Sequence, residues 1–563
     1  MKVKINNQIF FKSDFPDIKV ANENLACHII DSINSKKNEV ILTDENLNRV
    51  SSYEIVSRIK KVAKGFNLLN LQKGDIIGAI LPNMIEFSYG VLGGLLSGGV
   101  VSLINPGSTK DEINNTLSKV KPKYILIDIE NYNRIKEFLK DLFQYCEVVI
   151  VLNDIYNKPI LDLKLPQNYC GSFKVIDFKD FIENDGDYNK QSSIVRSNED
   201  IAFILFSSGT TGNFKALCLT HRNILSNVKQ TILAEKELNP KNSVILCCLP
   251  FFHCFGLVVV LLSSLSYGAG FTFLKKYNVL KFLKLVQNEK ITFSYIVPPI
   301  AVDLSNSPLV KEYDCSSLTV LFSGAAPFPG ELEDILKKRI GVSRSKNDEG
   351  TQRLIIKQGY GLTETSPVVS ISNSISNKKG SSGFLVGSMQ AKITCIETNK
   401  NLDSNQIGEL CVTGPNVMKG YFGNTSLNDT FDSSGYFKTG DIGYFDDEGQ
   451  LFIVDRKKEL IKSYGYQVAP AELESILLGH PKIADVAVIA VPSSKGGEVP
   501  KAFVVLKENA AVSGVEICKW FEPKVSYYKY LRGGIVFIDK IPKSPTGKIL
   551  RKRLGEFSLI NKL

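Results

Sequence analysis

A loop rich in glycine, serine and threonine, SSGTTGNFK at 207–215, directly follows the apolar stretch IAFILF at 201–206. Glycine lets the backbone turn several N–H groups toward one anion, and hydroxyl groups add further donors. Lys215 adds a positive charge. This combination favours a phosphate-binding loop, although an ordinary polar loop has a similar composition. It differs from the Walker P-loop, because no Gly-Lys-Ser/Thr follows at the required spacing.

A second segment, QGYGLTETSP at 358–367, also follows an apolar stretch, LIIK. Tyr360 stands between two glycines and offers a flat ring, and Thr363 and Glu364 offer a hydroxyl and a carboxylate. Mg²⁺ bridging phosphates needs few protein ligands, so one carboxylate can suffice. The segment therefore favours nucleotide binding, with a glycine-rich turn before a helix as the alternative.

Three further charged residues complete the set of candidates. Asp441 ends YFKTGD, where it is predicted to follow a turn and suits hydrogen bonds from ribose hydroxyls. Arg456 comes next along the chain, and Lys548 lies in the Pro/Gly turn of PKSPTGKILRK. Taken alone, Lys548 would be one exposed lysine among many. The order of the segments gives it significance.

An α/β fold is predicted to position these residues. Strands and helices alternate over 40–130, with Ser51 and Glu54 at capping-box spacing before an apolar series. Residues 85–98 predict a helix that leads into a strand at 100–104. The predicted irregular segments are a polar surface excursion at 152–192 and a flexible loop at 341–352. After Gly380 the pattern changes to short strands and turns.

The pattern changes again from Asp455, which indicates a second domain. Pro470 is suited to a helix start, and the strands DVAVIAV, KAFVVL and GIVFID surround a predicted helix near 513–522. We predict a large, multi-lobed α/β domain over 1–455. A small, mobile α+β domain is predicted over 456–563.

Composition narrows the class of protein. The chain has 563 residues, of which 44% are hydrophobic and 22% charged, so it can bury a large core in more than one domain. Its net charge of +10 suits anionic small molecules. No zinc-finger, RRM or basic-zipper pattern supports nucleic-acid binding. None of the eleven cysteines forms a C-x-x-C pair, which favours a reducing compartment over a disulfide framework or zinc site.

One uncharged segment, 242–274, resembles a membrane span when it is searched by hydropathy alone. Glycines and serines interrupt it, and it ends in the strand-like alternation FTFL. We therefore predict a buried helix followed by a buried strand, and no transmembrane span. The start of the chain, MKVKINNQIFFK, also lacks the apolar run of a signal peptide.

The four chemical segments, in this order, resemble the adenylate-forming family of acyl-CoA synthetases, 4-coumarate–CoA ligases and firefly luciferase. The resemblance runs from about residue 40 onward, and GYQVAPAELESILLGHP and LRGGIVFIDKIPKSPTGK are especially similar to the coumarate-ligase and luciferase branch. It implies an ATP-dependent carboxylate–CoA ligase, 4-coumarate–CoA ligase-like, with Mg²⁺ as cofactor and with ATP, CoA and a carboxylic acid as substrates. A medium- or long-chain fatty acyl-CoA synthetase and a luciferase-type oxidoreductase are the alternatives. A non-catalytic binding protein and a carrier-loading module are less favoured.

The resemblance also implies residue roles. Nucleotide binding falls to Ser207, Ser208, Gly209, Thr210, Thr211, Lys215, Gln358, Gly359, Tyr360, Thr363, Asp441, Arg456 and Lys548. The implied catalytic residues are His253, Thr363, Lys548 and Glu364, with Glu364 also the Mg²⁺ ligand. The acyl-adenylate is expected to contact His253, Phe255, Val259, Ala325, Gly359, Pro367, Val368, Lys458, Lys462 and Gln467, with Lys458 as the hinge. CoA is expected at Lys276, Tyr464 and Gly465.

Four positions depart from the family pattern. Phe214 and Ala216 replace the usual Pro and Gly beside Lys215, which changes loop stiffness more than hydrogen-bond donors. Tyr464 stands where the branch usually has a lysine that contacts CoA. Phe255 replaces a tyrosine, so a phenolic substrate would lose a hydrogen-bond partner there.

The last three residues, Asn561-Lys562-Leu563, resemble the Ser-Lys-Leu peroxisomal address without its small first residue. They predict a peroxisomal location through an import receptor. A chance polar tail, and with it a cytoplasmic location, is the alternative.

Overall fold

A computed structural model describes most of the chain. The residues outside the description are 1, 6–7, 36–38, 138–144, 154–173, 189–199, 209–213, 240–242, 327, 329, 341–353, 375–377, 424–429, 465, 494–496, 545–546 and 561–563. The loop predicted at 341–352, and most of the excursion predicted at 152–192, lie outside the described residues.

The strands are numbered in chain order: β1 Lys2–Ile5, β2 Gln8–Lys12, β3 Val40–Thr43, β4 Arg49–Ser51, β5 Ile76–Ile80, β6 Val100–Leu103, β7 Tyr124–Asp128, β8 Val148–Leu152, β9 Lys174–Asp177, β10 Ile201–Ser208, β11 Phe214–Thr220, β12 Ile245–Cys247, β13 Phe271–Phe273, β14 Phe293–Ile296, β15 Val320–Ser323, β16 Ile355–Gly361, β17 Val368–Ile371, β18 Phe384–Leu385, β19 Gln390–Thr394, β20 Gly408–Thr413, β21 Gly420–Tyr421, β22 Phe437–Phe445, β23 Leu451–Arg456, β24 Ile461–Ser463, β25 Tyr466–Val468, β26 Ile483–Ser493, β27 Gly497–Leu506 and β28 Ile535–Phe537. The α-helices are α1 Leu25–Asn34, α2 Ser52–Leu68, α3 Ile85–Leu96, α4 Lys110–Val120, α5 Ile129–Ile135, α6 Phe178–Phe181, α7 His221–Ala234, α8 Ser263–Tyr267, α9 Val279–Asn288, α10 Pro298–Asn306, α11 Gly330–Arg339, α12 Pro470–Leu478, α13 Gly514–Phe521 and α14 Arg551–Ile560.

Three sheets build the large domain, which confirms the predicted α/β class. The nine-stranded sheet has the order β18-β17-β16-β15-β14-β12-β13-β3-β4, and the eight-stranded sheet has the order β21-β11-β10-β6-β5-β7-β8-β9. Both are parallel at their centres. The third sheet, β1-β2-β19-β20-β22-β23, is antiparallel and accounts for the short strands after Gly380. The central strands are buried along their length, because helices cover parallel sheets on both faces.

Local signals place several helices where the sequence predicts them. The Ser51 hydroxyl accepts a hydrogen bond from the Glu54 N–H at 3.3 Å and starts α2. Pro470 occupies the first turn of α12, where its missing N–H costs nothing. The predicted helix at 85–98 is α3, and all twelve of its residues are buried.

The uncharged segment is buried, as predicted. A π-helix, Phe255–Leu262, continues into α8 and then β13, and every residue of the π-helix is buried. The π-helical hydrogen bonding was not anticipated from the sequence. In the part of the chain that the structure describes, no helix is long and apolar enough to cross a membrane.

The prediction of a polar surface excursion at 152–192 is partly wrong. Residues 174–177 form β9, which pairs with β8 at the edge of the eight-stranded sheet. Phe178 and Phe181 follow in α6 and are buried, Phe181 against Phe66 at a ring-centroid distance of 5.0 Å. Two aromatic residues three positions apart indicate a packed turn. The polar residues around them concealed this signal in the sequence.

The small domain has its own sheet, β25-β24-β27-β26 with β28 beside β27, and its own buried cluster around α12 and α13. It is tied to the large domain where the N–H of Ala471 donates to the Asp455 carboxylate at 2.9 Å. Burial raises the pKa of Asp455 to about 6. Arg456, predicted to begin the small domain, is the last residue of β23 in the antiparallel sheet of the large domain. The 455/456 boundary itself stays a prediction.

Candidate active site

A cavity of about 840 Å³ opens where the carboxyl ends of β15 and β16 meet the hairpin of β10 and β11 and the small domain. Parallel strands commonly present binding sites at this end, because loops can be varied there without disturbing the sheet. The polar and charged residues on its wall that the sequence singled out are Ser207, Lys215, His253, Tyr360, Thr363, Glu364, Arg456, Lys458 and Lys548, whereas Asp441 does not itself line the cavity. The structure therefore brings segments from four distant parts of the chain to one cavity.

The described ends of the predicted phosphate loop lie on two paired strands, β10 and β11. β10 and β11 are antiparallel, with Ser207 opposite Lys215, and both residues reach the cavity. The Lys215 ammonium lies 4.9 Å from the ring centroid of Tyr421, which holds it at the cavity wall. Gly209, Thr210 and Thr211, and the side chain of Ser208, lie outside the described residues.

Tyr360, Asp441 and Arg456 form a buried hydrogen-bonded chain. The Tyr360 hydroxyl donates to Asp441 Oδ2 at 2.6 Å, and Arg456 Nε lies 3.0 Å from Asp441 Oδ1. Burial raises the pKa of Asp441, and the Arg456 guanidinium opposes that shift. Burial, followed by the Asp441 charge, holds the pKa of Tyr360 well above its usual range. Asp441 thus fixes both the flat ring and the cation of the cavity wall.

The prediction that Asp441 follows a turn is wrong. Asp441 lies inside β22, directly opposite Arg456 of β23 in the antiparallel register. The glycine before it, Gly440, has φ +72°. A residue with a Cβ is strained in that conformation, so glycine allows the strand to bend at the site while pairing continues. The Lys-Thr-Gly-Asp sequence looked like a turn for this reason.

Glu364 supplies the one carboxylate among the sequence-predicted residues that line the cavity. It lies in a short 3₁₀ turn, Thr363–Thr365, and is 9% exposed. Its carbonyl accepts the N–H of Met418 at 2.8 Å, and its Oε1 lies 3.4 Å from the Tyr421 hydroxyl. A nearly buried carboxylate beside a phosphate-binding hairpin has the chemistry of a Mg²⁺ ligand.

The predicted acyl residues divide into two groups. His253, Phe255, Ala325, Gly359, Pro367 and Val368 line the cavity. Val259 does not line the cavity, because it lies within the fully buried π-helix. Gln358 is also absent from the wall, and its buried side-chain nitrogen has no hydrogen-bond partner among the described residues.

His253 is held in a neutral state. Its Nδ1 accepts the N–H of Phe255 at 3.3 Å, which leaves the proton of the neutral ring on Nε2. Burial lowers the pKa of His253 to about 4. The imidazole therefore lies beside the acyl residues without a positive charge near pH 7.

Aromatic rings close the deep end of the cavity. Phe255 and Phe322 line it with ring centroids 6.0 Å apart, and Tyr295 packs behind both at 6.2 and 5.5 Å. Phe322 comes within 2.7 Å of where a Cβ on Gly359 would lie. Only a glycine at 359 leaves this space open, so the cavity ends in a flat apolar slot.

Lys548 reaches the cavity from the small domain. Its backbone N–H donates to the Ser544 hydroxyl at 3.1 Å, which shapes the turn that carries it. Gly547, at φ +84°, packs so closely on Pro299 that a Cβ would lie 2.6 Å from the proline Cδ. Burial, followed by the neighbouring Arg456 charge, lowers the pKa of Lys548. The turn is therefore docked on the large domain with its cation inside the site.

The remaining predicted small-domain residues lie away from the cavity. Lys462 and Gln467 pair with each other across the hairpin of β24 and β25, and both are exposed. Tyr464 lies at the turn of that hairpin, and Gly465 lies outside the described residues. Lys276, in the large domain, is exposed after β13 and does not line the cavity. The structure does not bring these residues to the nucleotide site in this arrangement.

The wall residues that sequence reasoning missed include Phe322, Glu409, Tyr421 and Lys457. Phe322 lies in the buried strand β15, just before the small residues at 323–326, a signal that was available from the sequence. Tyr421 reaches the site because β21 pairs with β11, with Tyr421 opposite Leu217. That contact spans distant parts of the chain, and no local pattern indicates it.

A buried ionic cluster behind the cavity also went unnoticed. Lys357 Nζ lies 2.5 Å from Glu237 Oε2 and 3.1 Å from Glu235 Oε1, and the side chains of Lys357 and Glu235 are fully buried. Burial raises the pKa of Glu235 to about 7. Because Lys357 precedes Gln358 and Gly359 on β16, this cluster fixes the strand that carries them.

Within the described residues, no group of three or more His, Cys, Asp or Glu side chains could hold a metal ion. All cysteines for which the structure gives a state are free thiols. Two carboxylates line the described cavity wall, Glu364 and Glu409, and Glu409 is paired with Lys457 at 2.7 Å.

Comparison with known proteins places this geometry in a family. Residues 31–422 match the family model described as AMP-binding enzyme, and residues 472–548 match the AMP-binding enzyme C-terminal domain. The chain is 43% identical to probable 4-coumarate–CoA ligase 1 of Dictyostelium discoideum over 99% of both chains. It is 37% identical to the 4-coumarate–CoA ligase of Pinus taeda over 97% of both.

Solved structures agree with the fold. The ATP-bound MatB of Rhodopseudomonas palustris superposes with a TM-score of 0.81 at 26% identity, covering 95% of this chain and 99% of that one. The anthranilate CoA ligase AuaEII with anthranoyl-AMP gives 0.84 at 21% identity, covering 97% and 99%, which shows the shared fold. The chain belongs to the AMP-binding enzyme family, as the order of its segments predicts.

Proposed function

We propose that the protein is an ATP-dependent carboxylate–CoA ligase of the 4-coumarate–CoA ligase type. The observation that carries the proposal is the shared cavity: the phosphate hairpin, the Tyr360–Asp441–Arg456 chain, Glu364 and Lys548 all converge on it with the acyl slot. The full-length similarity to proteins named 4-coumarate–CoA ligase supports the same conclusion.

In the first half-reaction a carboxylate oxygen of the acid forms a bond to the α-phosphorus of ATP, and pyrophosphate leaves. Both reactants are anions and repel each other. Lys548 carries a positive charge into the cavity, where it can contact the carboxylate and the α-phosphate together. Lys215 lies at the hairpin that would hold the departing phosphates. Arg456 and Asp441 would bind the ribose.

Mg²⁺ fits this site as a cofactor. Glu364 is a nearly buried carboxylate at the cavity wall, and a hard cation that binds phosphates needs few protein ligands. When bound, the ion would supply positive charge that stabilises pyrophosphate as it leaves.

In the second half-reaction the thiol sulfur of CoA bonds to the acyl carbon, AMP leaves with the electron pair of the broken C–O bond, and the thiol proton is released. Lys548 occupies the cavity in the present arrangement. We therefore propose that the small domain rotates about Lys458, which lines the cavity at the joint, to withdraw Lys548 and admit the thiol. Neutral His253, at the acyl residues, would border that approach.

The slot favours a flat aromatic acid. Phe255 and Phe322 line the cavity and Tyr295 packs against both of them, so the described rings offer an aromatic acid stacking and edge contacts. With Phe255 in place of a tyrosine, the far end of the substrate meets a hydrocarbon ring. We propose a cinnamate-type acid with weak discrimination for a ring hydroxyl, because an apolar site cannot strongly reject or select one.

The test is AMP release from ATP and Mg²⁺ with cinnamic, benzoic and C6–C18 fatty acids, with and without CoA. AMP release that requires both a cinnamate-type acid and CoA supports the proposal. A preference for C12–C18 acids would replace the aromatic substrate with a fatty acid. Acid-dependent pyrophosphate exchange without CoA-dependent turnover would keep adenylation and overturn CoA as the acceptor.

We further propose a peroxisomal location, on the strength of Asn561-Lys562-Leu563 alone. A fluorescent fusion ending in these residues should enter peroxisomes, and removal of Leu563 should return it to the cytosol. Cytosolic fluorescence from the intact fusion would contradict the proposal.

A further inference from the structure

Four tyrosines cluster on the surface of the small domain, beside the hairpin of β24 and β25. We call Tyr464, Tyr466, Tyr527 and Tyr528 the tyrosine patch. Tyr466 and Tyr528 stack at 4.1 Å with an interplanar angle of 12°, and Tyr464 meets Tyr527 at 6.2 Å. Tyr466 is 49% exposed and Tyr527 is 52% exposed. Tyr464 and Tyr528 are half-buried, and Tyr528 packs against the core of the domain, so the exposed rings are those of Tyr466 and Tyr527.

The Arg532 guanidinium lies over the ring of Tyr464 of the patch and over that of Tyr530. Its guanidinium carbon is 5.0 Å from the ring centroid of Tyr464 and 5.1 Å from that of Tyr530. Its side chain also donates to the carbonyl of Tyr527, which fixes its direction. Arg532 is exposed, and within the described part of the chain it forms no ion pair with a carboxylate. An oriented guanidinium without a counter-ion is well suited to bind a phosphate group.

The neighbouring charges do not neutralise it. Lys529 is paired with Glu472 at 2.5 Å, and the Glu498 carboxylate accepts the backbone N–H of Lys462 at 2.9 Å on the hairpin. Within the described residues, neither carboxylate forms an ion pair with Arg532, which is exposed beside the rings of Tyr464 and Tyr530.

The patch lies within reach of the active site. Lys458 lines the cavity. Tyr464 comes six residues later along the chain, directly after the short strand β24. Six residues of extended chain span at most about 20 Å. Tyr464 has φ +51°, a conformation uncommon for residues other than glycine, so the turn presents a defined surface. A rotation at Lys458 can therefore carry Tyr464 and Arg532 to the mouth of the cavity.

On the basis of the proposed ligase function, we propose that Arg532, supported by the ring of Tyr464, binds a phosphate group of CoA during the second half-reaction. The resemblance placed a lysine at position 464 for this acceptor. Tyr464 lacks that charge but holds the Arg532 guanidinium at the same turn. Arg532, which lies in a different connection between strands, thus supplies the positive charge for CoA. CoA binding therefore does not need a lysine at position 464.

The test is the thiolysis of purified acyl-adenylate by wild type and by Arg532→Ala, with CoA and with pantetheine, which has the thiol but lacks the nucleotide. Loss of one charge-assisted contact should raise the KM for CoA about tenfold and leave the KM for pantetheine unchanged. Tyr464→Ala should act in the same direction with a smaller increase, whereas Tyr464→Phe keeps the ring and should resemble wild type.

Lys524→Ala is the matched control. Lys524 lies 4.4 Å over the ring of Trp520 in the same domain, so this variant also loses one cation stacked on an aromatic ring. Its KM for CoA should equal that of wild type. An unchanged KM for CoA in Arg532→Ala, or equal increases for CoA and pantetheine, would overturn the inference. Absence of CoA turnover in wild type would instead overturn the proposed function.

Discussion

The turn that carries Lys548 and the hairpin that carries Lys462, Tyr464 and Gln467 belong to the same small domain, yet they stand in different relations to the cavity. Gly547 packs on Pro299, and Lys548 enters the site. Lys462 and Gln467 of the hairpin are exposed, Tyr464 is half-buried, and none of the three lines the cavity. Lys548 was predicted to bridge the carboxylate and the α-phosphate, whereas Lys462 and Gln467 were predicted to contact the acyl-adenylate. Only the Lys548 turn lines the cavity in this arrangement, which is the difference that the proposed rotation between the two half-reactions would reverse.

The largest effect is expected from Lys548→Ala. Removing this cation should slow acid-dependent pyrophosphate exchange by about 10²–10³, or about 3–4 kcal/mol, because Lys548 is the residue proposed to contact both anions at the point of attack. Thiolysis of supplied acyl-adenylate should be nearly normal. Lys552→Ala, an exposed lysine on α14, is the control and should behave as wild type. Equal losses in both half-reactions would mean that the Lys548 turn does not leave the site.

Lys458→Pro should produce the opposite pattern. Proline fixes φ and restricts the residue before it, so the joint should lose the freedom to rotate. Pyrophosphate exchange should persist, and thioester formation should fall by about a hundredfold, since the thiol cannot be aligned with the acyl carbon. Lys458→Ala removes the side chain without restricting the backbone. This variant should keep most of the rate of thioester formation. Normal CoA turnover in Lys458→Pro would refute rotation at this residue.

Asp441→Asn tests the wall that both domain positions share. Asp441 orients Tyr360 and Arg456 from the large domain, so it should serve both half-reactions. Weakening two charge-assisted contacts should raise the KM for ATP about tenfold and slow thiolysis of bound acyl-adenylate in parallel. Asp447→Asn, in the exposed turn after β22, is the matched control. A defect confined to one half-reaction would show that this wall is not common to both.

A smaller effect concerns pH. Burial and Arg456 lower the pKa of docked Lys548, so the free enzyme should lose adenylation kcat/KM at a lower pH than an ordinary lysine would allow. The sign follows from the charge: raising pH removes the proton that Lys548 needs to bind two anions. Lys548→Arg should move this alkaline limb upward, because guanidinium stays protonated. Thiolysis should lack the limb. A limb of equal pKa in Lys548→Arg would assign it to another group.

Sequence reasoning recovered the two-domain α/β fold and the charged residues Lys215, Glu364, Arg456 and Lys548 of the cavity wall, because these residues lie in short segments with distinctive composition. Ser51, Pro470 and the strand before 207–215 gave local signals that the structure reproduces. The position of Asp441 was predicted wrongly, because the glycine before it, Gly440, is typical of a turn although it lies within a strand. Val259 was misplaced because a π-helix alters which residues face the cavity.

Pairing between distant parts of the chain accounts for the contacts that the sequence did not predict. Tyr421 reaches Lys215 only because β21 joins the far edge of the eight-stranded sheet. Lys357 and Glu235 meet in the core across more than a hundred residues of chain, and neither position carries a local signal. The position of the Lys462 hairpin away from the cavity was also not predictable, since one sequence must serve both domain positions.

Hydrogen–deuterium exchange of the intact protein, bound to a non-hydrolysable acyl-adenylate analogue, tests the alternation most directly. Without CoA, the amides around Lys548 should exchange slowly and those of the hairpin from 461 to 468 quickly. Addition of CoA should reverse this order, exposing the Lys548 turn and protecting the hairpin. Continued protection around Lys548 with CoA bound, and no change in the hairpin, would contradict the two-position account.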